Sequence, residues 1–251
     1  MKRLLVWMLP LMLLAMGCKG EKKLSIYSQM YKEDPAVLYI APLNDMAMRR
    51  AVREVGDSAY NNSINTAAMQ LYLTAASPLV SNGYYVPGPV ASAQIAATEG
   101  RTGKQLRNSS IDDLYTNLGI DAVLFIDLLS WNQTHNTWTV EVEYMVRSTH
   151  SGGELLYKHV TATKILPTDY RGNPQPLKED LDFQHDYGCD LETAQRCRLV
   201  EILNQYVLHD LPSGQRARRH SSEPYTVSQP EYFKLRIHKD GSVEAMKSSA
   251  E

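Results

Sequence analysis

Hydrophobic and polar positions along the 251-residue chain fall into three rhythms. The first is the continuous apolar run. Ala36 to Ala41 (Ala-Val-Leu-Tyr-Ile-Ala) and Ala122 to Leu129 have the length and β-branched content of strands buried on both faces. The second is strict alternation. Trp138, Val140, Val142, Tyr144 and Val146 point one way, while Thr139, Glu141, Glu143, Met145 and Arg147 point the other. That is a strand with one wet face. Ser151-Gly152-Gly153 turns the chain, and Leu155 to Thr163 returns as its partner. The third rhythm is helical. Ile64, Ala68, Leu71 and Ala75 share a face, as do Leu114 and Leu118, and as do Leu199, Ile202, Leu203, Tyr206 and Val207.

The punctuation between these segments fixes their ends. Pro42 closes the first strand, and Met46 to Asn62 reads as a loop with some helix. Pro78 breaks the helix over 64–76, and Ser77-Pro78 can start a second, short one that Asn82-Gly83 ends. Tyr84 to Val86 suits a short strand and Val90 to Gly100 a helix. Ser110, with Asp113 three residues on, predicts a capped helix start that Gly119 closes. Pro167, Pro174 and Pro176 mark a loop-rich connection, after which Asp190 caps a helix over 191–208. Tyr232 to Ile237 and Ser242 to Met246 flank Asp240-Gly241, a hairpin turn signal. Strand, helix, strand, helix and then a meander imply an α/β (α+β) fold, a mixed β-sheet with helices packed on it, over residues 34–164. Residues 165–251 add a carboxy-terminal extension of loop, helix and hairpin.

The beginning of the chain carries a different signal. Met1-Lys2-Arg3 is basic, Leu4 to Met16 is apolar, and small residues precede Cys18. That order is a secretory signal ending in a lipoprotein cleavage site. The apolar run is shorter than the about 20 residues a membrane helix needs. Residues 1–17 are then the signal peptide, Cys18 the lipidated residue and 18–33 a polar tether. Each buried methylene contributes about 0.8 kcal/mol, and two acyl chains suffice for stable anchoring. No aspartate directly follows Cys18, which favours the outer membrane. Cleavage would leave 234 residues at a formal charge of −4. Nothing in that balance suggests nucleic acid.

Cys189 and Cys197 remain once Cys18 is acylated, an even number that permits a disulfide in an oxidising compartment. A helix starting at Asp190 puts Cys197 about 10 Å along its axis. A bridge needs Cα atoms within about 7 Å, so the bond requires Cys189 to fold back over the first turn. Cys197 lies about 160° round the helix from Leu199, away from the apolar stripe. His185 with these cysteines fits no standard zinc spacing, so no metal and no cofactor are expected. Asp127 interrupts a buried strand, either as a site carboxylate or as a strand-end group reaching water or a backbone donor. Glu141 and Glu143 read as a solvated sheet face, and Arg216 to His220 as a basic cluster for solvent or lipid phosphates. No Gly-x-Ser-x-Gly, His-Glu-x-x-His, phosphate loop or Cys-x-x-Cys is present.

Several short motifs carry a resemblance. Val37 to Asn44, Pro78-Leu79 followed by Gly83 to Val86, Gly119 to Leu124, and Gly153 to Leu156 occur in the same order in a family of small Gram-negative lipoproteins. That family includes a neisserial vaccine-candidate antigen and has no known function. The resemblance covers residues 34–164. It implies an outer-membrane lipoprotein with a domain similar to the amino-terminal domain of TolB, in a family commonly encoded beside a CsgG-like secretion-pore lipoprotein. The expectations set beside it are a periplasm-facing body and a CsgG-like or other envelope protein as partner. The resemblance carries no catalytic residues. Three readings follow: a non-enzymatic docking lipoprotein, an envelope hydrolase using scattered residues such as Asp127 and His159, and a surface-exposed ligand binder.

Overall fold

The apolar runs and the alternating segment become neighbouring strands. The structure is a computed structural model that describes residues 28–43, 58–214 and 232–247. In chain order it contains α1 (Ser28–Glu33), β1 (Leu38–Ile40), α2 (Ser58–Thr74), α3 (Ala76–Ser81), α4 (Pro89–Glu99), α5 (Gly103–Asn108) and α6 (Asp112–Leu118). Then follow β2 (Ala122–Gln133), β3 (Thr137–Ser148), β4 (Glu154–Ile165), α7 (Lys178–Tyr187), α8 (Leu191–His209), β5 (Tyr232–Ile237) and β6 (Val243–Lys247). The strands form one six-stranded mixed sheet in sequence order. β1–β2 and β4–β5 pair parallel, and the other neighbours antiparallel.

The two faces of the sheet are covered unequally, which explains the two strand rhythms. One face is continuous with the main core, where Leu38, Leu124, Val142, Tyr144 and Val160 meet Leu71 of α2, Leu79 of α3 and Leu199 and Leu203 of α8. On the other face a smaller core covers β1 and the start of β2, with Met145 of β3 packed at its margin. There Tyr39, Val123 and Phe125 pack with Leu106, Ile111 and Leu114. β1 and early β2 are therefore apolar on both sides. β3 and β4 are buried at every second residue and half-buried between. A bulge between Leu128 and Ser130 resets the parity of β2, so Trp131 faces the main core opposite Val140.

Residues 165–214 and 232–247 are woven into the same sheet and core. Leu166, Leu177, Val200, Val207, Leu235 and Ile237 all belong to the main cluster, and β5 extends the sheet beyond β4. α8 begins at Leu191 as its cap predicts, with the Asp190 carboxylate accepting the Thr193 N–H at 2.8 Å. Its carboxy-terminal end is capped from α3. The Asn82 amide donates to the carbonyls of Leu208 and His209 at 2.8 Å and of Leu211 at 3.4 Å. Beneath it, Asn204 accepts from the Tyr144 hydroxyl at 2.8 Å and donates to Leu71 O and Thr74 Oγ1.

Some expectations need correcting. The helix after Ser110 is capped at Ile111 without a side-chain bond, because the Ser110 hydroxyl turns to Asp112. Tyr84 to Val86 forms one parallel bridge, Val37 to Tyr85, instead of a strand. α5 and α7 lie in stretches that read as connections. α5 announces itself only by a Thr102/Gln105 capping box, and α7 has a single buried apolar side chain of its own, Phe183. Cys197, expected off the core stripe, is 3% exposed because α7 covers that side of α8 with Phe183.

Candidate functional site

The polar groups worth attention sit on both sides of the sheet, and each is placed by an element described above. α5 is seated against the chain after β1. A Cβ at Gly103 would lie 2.1 Å from the Pro42 carbonyl oxygen, so only glycine permits the approach. This seating carries Arg107 over the second face of the sheet. Its guanidinium pairs with the Asp127 carboxylate through one nitrogen and with Glu143 through another, and lies 5.9 Å from the centre of the Phe125 ring. Glu143 also accepts from the Tyr157 hydroxyl at 2.9 Å. Arg147, alongside, donates to the carbonyls of Arg107 and Ser109 and holds α5 down.

Asp127 is thus neither a free site acid nor a strand-end group reaching water. It is 6% exposed and pairs with an arginine twenty residues upstream that sequence reasoning did not single out. A carboxylate this buried needs such a partner. Glu143, read as solvated, is half-buried and doubly engaged, and Glu141 beside it is half-buried too. His159 lies opposite Glu143 in register and is also half-buried. The array of Arg107, Asp127, Glu143 and Tyr157 therefore shares one cation between two carboxylates, each of them paired with it.

On the main-core side β4 carries two buried lysines. Leu156, Lys158, Val160, Ala162, Lys164 and Leu166 all face the core, so both ammonium groups point under α8. Lys164 and Asp180 of α7 are each 1% exposed and meet at 2.5 Å, and the other Asp180 oxygen accepts the Leu177 N–H at 3.1 Å. Burial depresses the Lys164 ammonium, and Asp180 pulls it partly back. Lys158 lies 3.9 Å from Asp210, at the end of α8. Burial pushes it down to about 8, with Asp210 opposing. The signal for both lysines was present in the sequence, as two cations in phase with apolar positions.

Neither Asp127 nor His159 lines any of the three surface clefts described here. One of about 370 Å³ opens beside Lys164 between α7, α8 and the β5–β6 hairpin, walled by Leu177, Ile202, Tyr206, Ile237 and Val243. A second, of about 290 Å³, lies between α7 and α8 under Glu179, Asp182, Asp186 and Tyr187. A third, of about 340 Å³, is edged by Glu33, His150 and Ser151.

Cys189 and Cys197 are both free thiols, so the bond weighed from the sequence is not formed. The reason is the helix start. With Asp190 as N-cap, Cys197 sits two turns into α8, while Cys189 only packs against the cluster of Phe183, Ala194 and Cys197. Burial, with smaller contributions from Cys189 and Asp190, pushes the Cys197 thiol up to about 12. His185 is exposed on α7, and among the described residues no three of His, Cys, Asp and Glu converge as metal ligands. Cys18 and the cluster from Arg216 to His220 lie outside the described residues. Among the described residues no helix is long and apolar enough to cross a membrane.

No protein-family profile matches the chain, and no curated protein matches it. Similar solved structures include the lipoprotein GNA1162 from Neisseria meningitidis, at 18% identity and a TM-score of 0.39, covering 51% of this chain and 83% of that one. The hypothetical protein CT253 from Chlamydia trachomatis has 13% identity and a TM-score of 0.40, over 69% of this chain and 96% of that one. A PelC dodecamer from Paraburkholderia phytofirmans has 13% identity and a TM-score of 0.33, over 73% and 91%. Likenesses at these scores carry no functional weight.

Proposed function

We propose that this chain is a lipoprotein of the bacterial outer membrane, anchored through an acylated Cys18 and facing the periplasm. In this reading it works by docking on another envelope protein and carries out no reaction of its own. The order of basic segment, apolar run and small residues before Cys18 supports the anchor. The observation that carries the non-enzymatic reading is the pairing of Arg107 with Asp127 and Glu143. The carboxylate that interrupts a buried strand is ion-paired where it stands, and neither it nor His159 opens into the clefts described above. A general acid or base must instead reach substrate. The motif resemblance makes a CsgG-like pore lipoprotein the partner to look for.

Two measurements test this. Cys18→Ser should move the protein from the membrane pellet to the soluble fraction, and retention in the pellet refutes the anchor. Cross-linked, detergent-solubilised membranes should yield the wild-type protein with a CsgG-like lipoprotein in fixed stoichiometry. Recovery of the protein alone refutes the docking half.

A further inference from the structure

One rim of the sheet gathers the end of the tether, two exposed tyrosines and an exposed leucine. β1, β2 and β4 begin at this rim and β3 ends there. The chain reaches it through α1, which is held in two ways. Met30 is 1% exposed in the main core, and the Glu33 carboxylate accepts hydroxyl hydrogens from Ser148 at the end of β3 and from Ser151 in the β3–β4 turn. Just after α1 the Asp121 carboxylate accepts the backbone N–H groups of Ala36 and Val37, both at 2.9 Å. The other Asp121 oxygen lies 3.3 Å from the His150 ring, and that ring sits 3.9 Å from the Tyr115 ring. Tyr85 joins the same rim through its N–H to the Ala36 carbonyl. Around this fixed point Tyr85 is 56% exposed, Tyr115 45% and Leu118 42%.

We propose that this rim rests in the headgroup layer of the bilayer, with Tyr85, Tyr115 and Leu118 as the residues that contact lipid. The inference depends on acylation at Cys18. Nine residues separate Cys18 from Ser28, where α1 begins, and a fully extended chain of that length reaches about 35 Å. Twelve-residue strands such as β2–β4 are about as long, at ~3.3 Å per residue. Only a tether stretched to its limit could let the opposite rim, with His135, Asn136 and the Asp240-Gly241 turn, meet the membrane instead. Tyrosine suits the headgroup layer because its ring is apolar and its hydroxyl hydrogen-bonds at the wet edge. Leu118 leaves water on the same contact.

The test uses the full acylated protein reconstituted in vesicles of phosphatidylethanolamine and phosphatidylglycerol that contain a headgroup-nitroxide lipid. Cys189→Ser removes the accessible thiol, and Cys197 is buried and stays unlabelled near neutral pH. An environment-sensitive fluorophore is then placed by Leu118→Cys, by Tyr115→Cys as a second probe of the rim, or by Asp240→Cys at the opposite rim. The fluorophores at 118 and 115 should be quenched about twofold and shift to the blue, as expected at interface depth, while that at 240 stays unchanged. Vesicles that float with the protein yet quench 118 and 115 no more than 240 overturn the orientation and leave the anchor standing. Protein that fails to float with the vesicles overturns the anchor, and the orientation falls with it.

Discussion

Replacing Lys158 by methionine should remove a stability slope in mild alkali. Lys158 is fully buried on β4, opposite Tyr144 in register and 3.9 Å from Asp210. Its ammonium titrates near 8 in the folded protein against 10.5 when unfolded. Between those values the native state has already released a proton that the unfolded chain still holds. The unfolded state then binds more protons, so stability rises with pH across the window. The destabilisation is fully present below about 8 and is lifted as pH approaches 10.5. At 1.36 kcal/mol per pKa unit the swing is about 3 kcal/mol. Other groups titrate nearby. Lys164 moves the same way, whereas the raised Cys197 thiol acts oppositely once unfolded cysteine ionises above 9. The difference between wild type and variant isolates Lys158. Urea unfolding of Cys18→Ser protein, with and without Lys158→Met, at pH 8, 9 and 10 gives that difference. The full swing extends beyond that range on both sides, so between pH 8 and pH 10 the gap should change steadily by about 2 kcal/mol in the direction that favours wild type as pH rises. Parallel profiles would refute the reasoning.

Other perturbations separate the remaining contacts. Arg107→Met strands Asp127 as a buried, unpaired carboxylate, takes the cation from Glu143 as well, and should cost about 3–5 kcal/mol, of which the double variant with Asp127→Leu recovers the part owed to Asp127. A single variant within about 1 kcal/mol of wild type in urea unfolding would mean that the pair is not buried as described. Asn82→Ala removes the donor to three carbonyls at the end of α8 and should cost about 1–2 kcal/mol. Asn82→Asp should cost more, because a carboxylate cannot donate and faces the negative end of the helix dipole. Alkylation of the unfolded protein without reductant should add two groups, at Cys189 and Cys197, since both thiols are free. A mass two hydrogens lighter with no alkyl group would show instead that the first turn of α8 opens to let the sulfurs meet.

How much of this was legible depended on which forces act locally. β1 and early β2 were readable as double-sided strands because two cores grip them, and β3 because one core does. The bulge after Leu128 was invisible, since an alternation cannot announce its own phase shift, and Trp131 consequently faces the main core. α8 was readable from its Asp190 cap and its stripe, yet the stripe was drawn too narrow. Ile202 is only half-buried and Tyr206 is 37% exposed, while Val200 and Leu208 are fully buried. α8 packs on α2 and α3, and no local pattern encodes that packing. The partner of Asp127 escaped for the same reason: an ion pair across twenty residues exists only after α5 docks at Gly103. The lysines of β4 were within reach, because Lys158 and Lys164 stand in phase with the apolar positions of their strand.

The parallel pairing of β5 with β4 has a consequence for the order in which the molecule can take shape. Phe233 to Ile237 pair with Val160 to Lys164, and Leu235 and Ile237 help fill the interior. A nascent polypeptide emerging from its amino end therefore displays an unfinished sheet margin and an incompletely filled interior until β5 has been released. Products halted after β4 would lack α8 as well, and should be degraded or captured by chaperones rather than persist as a smaller stable protein.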